Sequence, residues 1–356
     1  MNYQDERTYG CRVSDSWHYR GMKTVIIENK YIRIQIIADK GADIASFIYK
    51  PTDTEIMFKT PWGIRNPSLT IPSSGDPASV WLDYYEGGWQ TVLPHGGYPS
   101  TYYGADFGLH GDVNNIPWDT RIISDTPDYC EVEFYGRSIR SPFEIKRTIT
   151  LKSNESFIGI KQEVINFGEE DLDIVWLEHI AIGGSFLSDK CTLKLPDCKI
   201  LTHPEDIDKS SKLKPNFKGD WPNVDLKDGS VSDFSSIPGK NDRSLDMAYF
   251  TNFNEGWYLV TNHDLNISWG VEFPKDVFKY VWYWRNFGGG YGYPWYGRCY
   301  NAGLEPCTSW HNGGVEQAQK NNSAFPVKAG QSISATMKAG IVTSYSSENN
   351  NNPFGK

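Results

Sequence analysis

The sequence has no run approaching the ~18 consecutive apolar residues that a membrane-spanning helix requires. Its first residues, Met1 to Arg7, lack the apolar core of a secretory leader, so a cytoplasmic protein with no membrane partner is expected. Cysteine is scarce. The six (Cys11, Cys130, Cys191, Cys198, Cys299 and Cys307) show no CxxC spacing, which argues against a disulfide framework and for small, mostly buried thiols. Positive charge is outnumbered, 35 Lys+Arg against 44 Asp+Glu, for a formal net charge of -9. Without a basic stripe, a nucleic-acid partner held by phosphate neutralisation is not expected. Several motifs are missing too: a phosphate-binding loop, an HExxH helix, an EF-hand loop and a nucleophile elbow. Gly288 to Gly292 follows a strand-like run, but no helix signal comes after it, so it is not read as a dinucleotide fingerprint.

What is abundant is aromatic: 14% of the 356 residues, with 33 Gly and 20 Pro among them, a mixture that favours strands and turns over helices. Thr24 to Ile27 passes through Glu28, Asn29 and Lys30 into Tyr31 to Ile36, where apolar and polar residues alternate with period two. Similar runs recur at Ile44 to Tyr49, Trp118 to Ile123, Cys130 to Tyr135, Phe143 to Leu151, Phe157 to Ile165 and Leu172 to Ile182. More follow at Trp257 to Val260, Ile267 to Phe273, Val277 to Trp284 and Ile333 to Ile341. No long amphipathic helix stands out. The pattern predicts an all-β chain, a large antiparallel β-sandwich or barrel. One domain over 1–345 with a disordered tail over 346–356 is the economical reading. Two stretches break the rhythm: Thr60 to Asp106, rich in Gly, Pro, Trp and Tyr, and the polar run His203 to Ser244, expected to be functional or disordered.

The densest unusual block runs from Val281 through Trp282, Trp284, Tyr291, Tyr293 and Trp295 to Arg298. Aromatic faces among glycines suit the apolar C–H face of a sugar ring, while fixed polar groups meet its rim of hydroxyls. An aromatic core with an ordered loop is the plainer alternative. Glu305, between Leu304 and Pro306, is a candidate base if partly desolvated, and otherwise a solvated strand-end carboxylate. His110 and His179 are either structural imidazoles or acid/base groups; His95 lies in a Gly-rich loop, and Asp246 opens a strand as a turn or cap residue. Zinc held by these histidines with Glu178 or Asp112 is disfavoured because no close ligand spacing is present. Glu205, Asp206 and Asp208 do not form a recognisable calcium loop.

In order, several short segments resemble the galactose mutarotase (aldose 1-epimerase) superfamily: Asp39 to Ile44, Leu109 to Asp112 with Pro117 and Trp118, Glu178 to Ala181, Leu245 to Ala248, Gly303 to Pro306, and Val327 to Ser332. The resemblance implies a β-sandwich with a sugar-binding cleft and no cofactor or metal. It implies Glu305 as the base on the anomeric hydroxyl, His179 as the acid on the ring oxygen, His110 as a second histidine on the sugar, and Asp246 as a carboxylate binding its hydroxyls. The family's arginine before the first histidine is missing; Gln90, His95 or Arg65 is expected in its place, and Ile180 stands where a proline usually follows the acid histidine. With Trp284 and Trp295 as stacking platforms, the expected activity is interconversion of α and β anomers of a free or modified aldose. A carbohydrate-binding protein without turnover, or a glycosidase or lyase using Asp246 and Glu305, are the alternatives.

Overall fold

A computed structural model describes residues 7, 9–72, 74–342 and 352–354. Two large antiparallel sheets, of twelve and eight strands, make up most of it. Both grow from the alternating runs. In the first hairpin, Met22–Glu28 pairs with Ile32–Ile37, and Asn29 makes the turn by accepting hydrogen bonds from the Tyr31 and Ile32 amides at 2.8 and 2.9 Å. Its side-chain amide also donates to the Lys152 and Glu155 carbonyls, tying one sheet to a turn between two inner strands of the other.

The sheets stack face to face over one extensive apolar cluster to which both contribute. Phe47 meets Trp269 edge-on at 4.9 Å, and the Tyr258 hydroxyl crosses the interface to the Leu304 carbonyl at 3.0 Å. Successive side chains of a strand point to opposite faces. Ala248, Phe250, Val281, Tyr283, Ala302 and Leu304 therefore enter this cluster, and the residues between them face outward. That outward face of the twelve-stranded sheet carries the cavity described below. All-β was legible from period two alone; the only two α-helices among the described residues are Pro77–Tyr84 and Gly314–Lys320.

The polar run 203–244 is folded. It holds three short strands, Lys218–Asp220, Asn223–Asp225 and Val231–Asp233, and anchors itself by burying Leu213, Val224, Phe234 and Ile237 in the core. The four apolar anchors are spaced too widely to show as a periodic pattern. Of the tail 346–356, residues 346–351, 355 and 356 lie outside the described residues; Phe354 packs edge-on against Phe157 at 5.7 Å. All six cysteines are free and buried.

Candidate active site

Three neighbouring strands of the large sheet build the floor: Leu177–Ile182, Tyr300–Cys307 and Tyr280–Phe287. The register Leu177–Cys307 and Ala181–Gly303 sets His179 beside Glu305. His179 Nε2 lies 3.5 Å from Glu305 Oε1, and the His110 and His179 rings stand 5.1 Å apart. All three line one cavity of about 380 Å³, a volume suited to a small organic ligand. Leu177–Ile182 alternates cleanly: Glu178 and Ile180 enter the sandwich, and His179 faces the cavity.

The walls are aromatic. Trp81 and Tyr85, from and just after the helix Pro77–Tyr84, stack at 4.5 Å and press on the imidazoles, Trp81 on His110 at 4.6 Å and Tyr85 on His179 at 5.4 Å. The helix starts at Asp76, whose carboxylate accepts from the Ser79 amide at 2.8 Å, with Pro77 at its first position. That cap is the sequence signal that finds the element; nothing local marks Trp81 or Tyr85 as lining a cavity. Tyr98, Trp282, Trp284, Tyr291, Tyr293 and Trp295 supply the remaining aromatic wall.

Desolvation by these rings governs the electrostatics. Burial alone pushes the Glu305 carboxyl well above the usual carboxylate range. Burial likewise pulls His179 down to about 4 and His110 well below the ordinary histidine value. The imidazoles are therefore neutral near pH 7. For His110 the tautomer follows as well: the Gly97 amide donates to Nδ1 at 3.2 Å, so the proton sits on Nε2. His110 itself has φ +61°, held by its amide bond to the Gly97 carbonyl at 3.0 Å.

Glu305, His179, His110, Trp284 and Trp295 thus share the cavity, and four other candidates do not line it. Asp246 lies on the opposite face of its strand, paired across the sheet with Arg285, and its Oδ1 accepts from the Lys212 and Leu213 amides at 2.8 and 3.1 Å. It pins the polar run to the sheet, so the Asp246–Glu305 pair that a glycosidase needs does not form across this cavity. Gln90 is the cross-strand neighbour of His179, but its amide donates to Asp43 at 2.9 Å within a buried cluster where Lys40 pairs with Asp43 and Glu86 at 2.6 and 2.8 Å. His95 accepts from the Val315 amide and donates through Nε2 to the Tyr98 carbonyl at 2.7 Å, so it positions Tyr98, which does line the cavity. Arg65 lies 3.6 Å from Asp83, which accepts from the Tyr293 hydroxyl at 2.9 Å; it stands two residues behind the wall. Distance along the chain and strand parity, neither visible in a short motif, decide these placements.

Asp208, Asn301, Asn312 and Tyr98 line the cavity without having been singled out as sugar ligands. For Asn301 a signal existed: it lies four residues before Glu305, hence on the same strand face. No three His, Cys, Asp or Glu side chains converge on a metal-ligating arrangement among the described residues. Asp112 instead accepts from the Ile139 and Arg140 amides, and Asp206 pairs with Lys227.

Comparison with known proteins agrees with this architecture. A Klebsiella pneumoniae protein provisionally named aldose 1-epimerase superposes with a TM-score of 0.71 at 15% identity, covering 93% of this chain and 83% of its own. A galactose mutarotase-like protein from Clostridium acetobutylicum gives 0.63 at 14%, covering 93% and 98%. A galactose mutarotase related enzyme from Lactobacillus acidophilus gives 0.57 at 14%, covering 89% and 97%. At these identities the likeness carries the fold. No curated protein matches the sequence. A family model described as "Domain of unknown function (DUF4432)" matches residues 19–341. With nearly the whole chain inside that match, the protein belongs to the DUF4432 family and has the galactose mutarotase-like fold.

Proposed function

We infer that the protein is an aldose 1-epimerase-like isomerase, with Glu305 as the base and His179 as the acid. One observation carries this reading: His179 Nε2 and Glu305 Oε1 are 3.5 Å apart on the floor of an aromatic cavity. Opening a hemiacetal removes the proton from O1 and adds one to O5, and both oxygens are bonded to C1. An acid and a base side by side therefore reach both. Glu305 takes the O1 proton as the C1–O5 bond breaks and C1=O1 forms, while His179 protonates O5. After rotation about C1–C2, O5 attacks the other face of C1, returning its proton to His179, and Glu305 returns its proton to O1. The Nε2–H of His110 is free to hydrogen-bond a sugar oxygen beside them. Trp284 and Trp295 offer faces to the C–H side of the ring.

The reacting state, a carboxylate beside an imidazolium, contains one proton, as does the resting state of a carboxylic acid beside a neutral imidazole. The two differ only in where that proton sits. Below about pH 4 a second proton enters as His179 titrates, and Glu305 then cannot accept one. At high pH the pair loses its last proton, at a value above the usual carboxylate range because burial opposes ionisation of Glu305. The expected kcat/KM profile is flat through neutrality and falls on both sides, measured by NMR exchange spectroscopy with the spontaneous rate subtracted. A profile that instead rises through the ordinary histidine pKa, as for a lone imidazole base, contradicts this pairing.

Glu305 also depends on the absence of a neighbouring side chain. A Cβ on Gly303 would lie 2.3 Å from Glu305 Oε1 and 3.1 Å from Trp284 Cβ. The carboxyl can swing aside, so Gly303→Ala is expected to fold normally yet lower kcat by roughly tenfold or more through misplacement of the base. Circular dichroism alongside exchange rates checks both halves. Release of reducing ends from an oligosaccharide would instead place the chain among hydrolases.

A further inference from the structure

We propose that Asp208 and Asn301, rather than Asp246, read the substrate's hydroxyls, and that the substrate is an uncharged sugar. This rests on the sugar-binding part of the reading above and deepens it.

Asn301 lies on the same strand and the same face as Glu305, about 13 Å along the strand. It is 2% exposed, lines the cavity, and its Oδ1 has no hydrogen-bond partner. Buried polar atoms are nearly always paired, so an orphaned acceptor on a residue that lines a cavity points to a donor supplied by a ligand. A hydroxyl is such a donor.

Asp208 lines the same cavity from the polar run. Its Oδ1 accepts from the Ser210 amide at 2.8 Å and the Ser210 hydroxyl at 2.5 Å. Its Oδ2 accepts from the Tyr291 amide at a longer 3.3 Å. These bonds fix the carboxylate and keep it ionised, while Oδ2 retains capacity for a further donor. Asp246 has no such opportunity, facing the other side of the sheet with its Oδ1 already bonded to two amides.

Charge sets the class of sugar. Among the described residues, no Lys or Arg lines the cavity. Of the cations near its rim, Lys209 stands over the Tyr291 ring at 4.9 Å and Arg65 pairs with Asp83. A phosphate or carboxylate on the sugar would meet Asp208 in a partly desolvated space with no facing cation, an unfavourable arrangement. A neutral polyol meets aromatic faces and two acceptors.

The test is titration of the full chain, read by tryptophan fluorescence, with D-glucose, D-galactose, their 6-phosphates and D-glucuronate. At least one neutral hexose is expected to bind at least tenfold more tightly than its phosphorylated or oxidised counterpart. Asp208→Asn and Asn301→Ala are each expected to weaken that hexose by about tenfold, the loss appearing in KM more than in kcat. Asp246→Asn should lower the unfolding midpoint and change affinity less than twofold. Tighter binding of an anionic sugar, or unchanged affinity in both Asp208→Asn and Asn301→Ala, overturns the proposal. Selective binding of a neutral hexose without faster anomer exchange upholds it and overturns the epimerase reading alone. Absence of binding by every sugar overturns both.

Discussion

Glu305→Gln is expected to slow anomer exchange by about 10²–10⁴-fold, the usual contribution of a positioned general base. The amide keeps the shape of the carboxyl but cannot take the O1 proton. It also removes a buried group that desolvation keeps from ionising, so the variant should unfold no more easily than the parent. This combination separates catalysis from packing. A rate within threefold of the parent removes Glu305 as the base, and a large fall in unfolding midpoint would make it a structural residue. Exchange spectroscopy on a reactive aldose, beside thermal melts of both proteins, gives the two readings.

The largest loss of stability is expected one residue from His179, at Glu178. Its carboxyl is fully buried between the sheets and accepts from the Trp89, Trp176 and Gln162 side chains at 2.7, 3.0 and 2.8 Å. Arg147 Nη2 lies 3.8 Å away, also fully buried, with Nη1 donating to the Ala42 carbonyl. Burial pushes Glu178 up while Arg147 and the three donors favour its ionised form. Glu178→Ala strands the guanidinium and three donors in the core. Breaking such a pair from one side costs about 3–5 kcal/mol, whereas apolar replacement of both partners is often neutral. Denaturant melts of Glu178→Ala, and of Glu178→Leu combined with Arg147→Met, measure this; a single-variant loss below about 1 kcal/mol contradicts the charge-stranding account.

These two glutamates show how far local pattern carries. Period two in Leu177–Ile182 already requires Glu178 and His179 to face opposite sides. Which side is the sandwich and which the cavity depends on how the sheets stack, and that is set by contacts such as Phe47 with Trp269, 222 positions apart in the chain. For Asp246 the same parity turned a carboxylate with a plausible motif away from the cavity, where two backbone amides hold it. Trp81 and Asp208 carried no local mark of their placement; one rides on a capped eight-residue helix and the other on a run whose anchors are four scattered apolar residues.

Alternation of apolar and polar residues, with turn residues between, determined by itself that this chain forms antiparallel sheets, because strand geometry is local and each residue's face follows from its neighbour's. The pairing of His179 with Glu305, 126 positions away, and the aromatic enclosure that pushes their proton affinities in opposite directions were decided only by tertiary structure. Desolvation depends on which surfaces exclude water together, and no single strand contains that information.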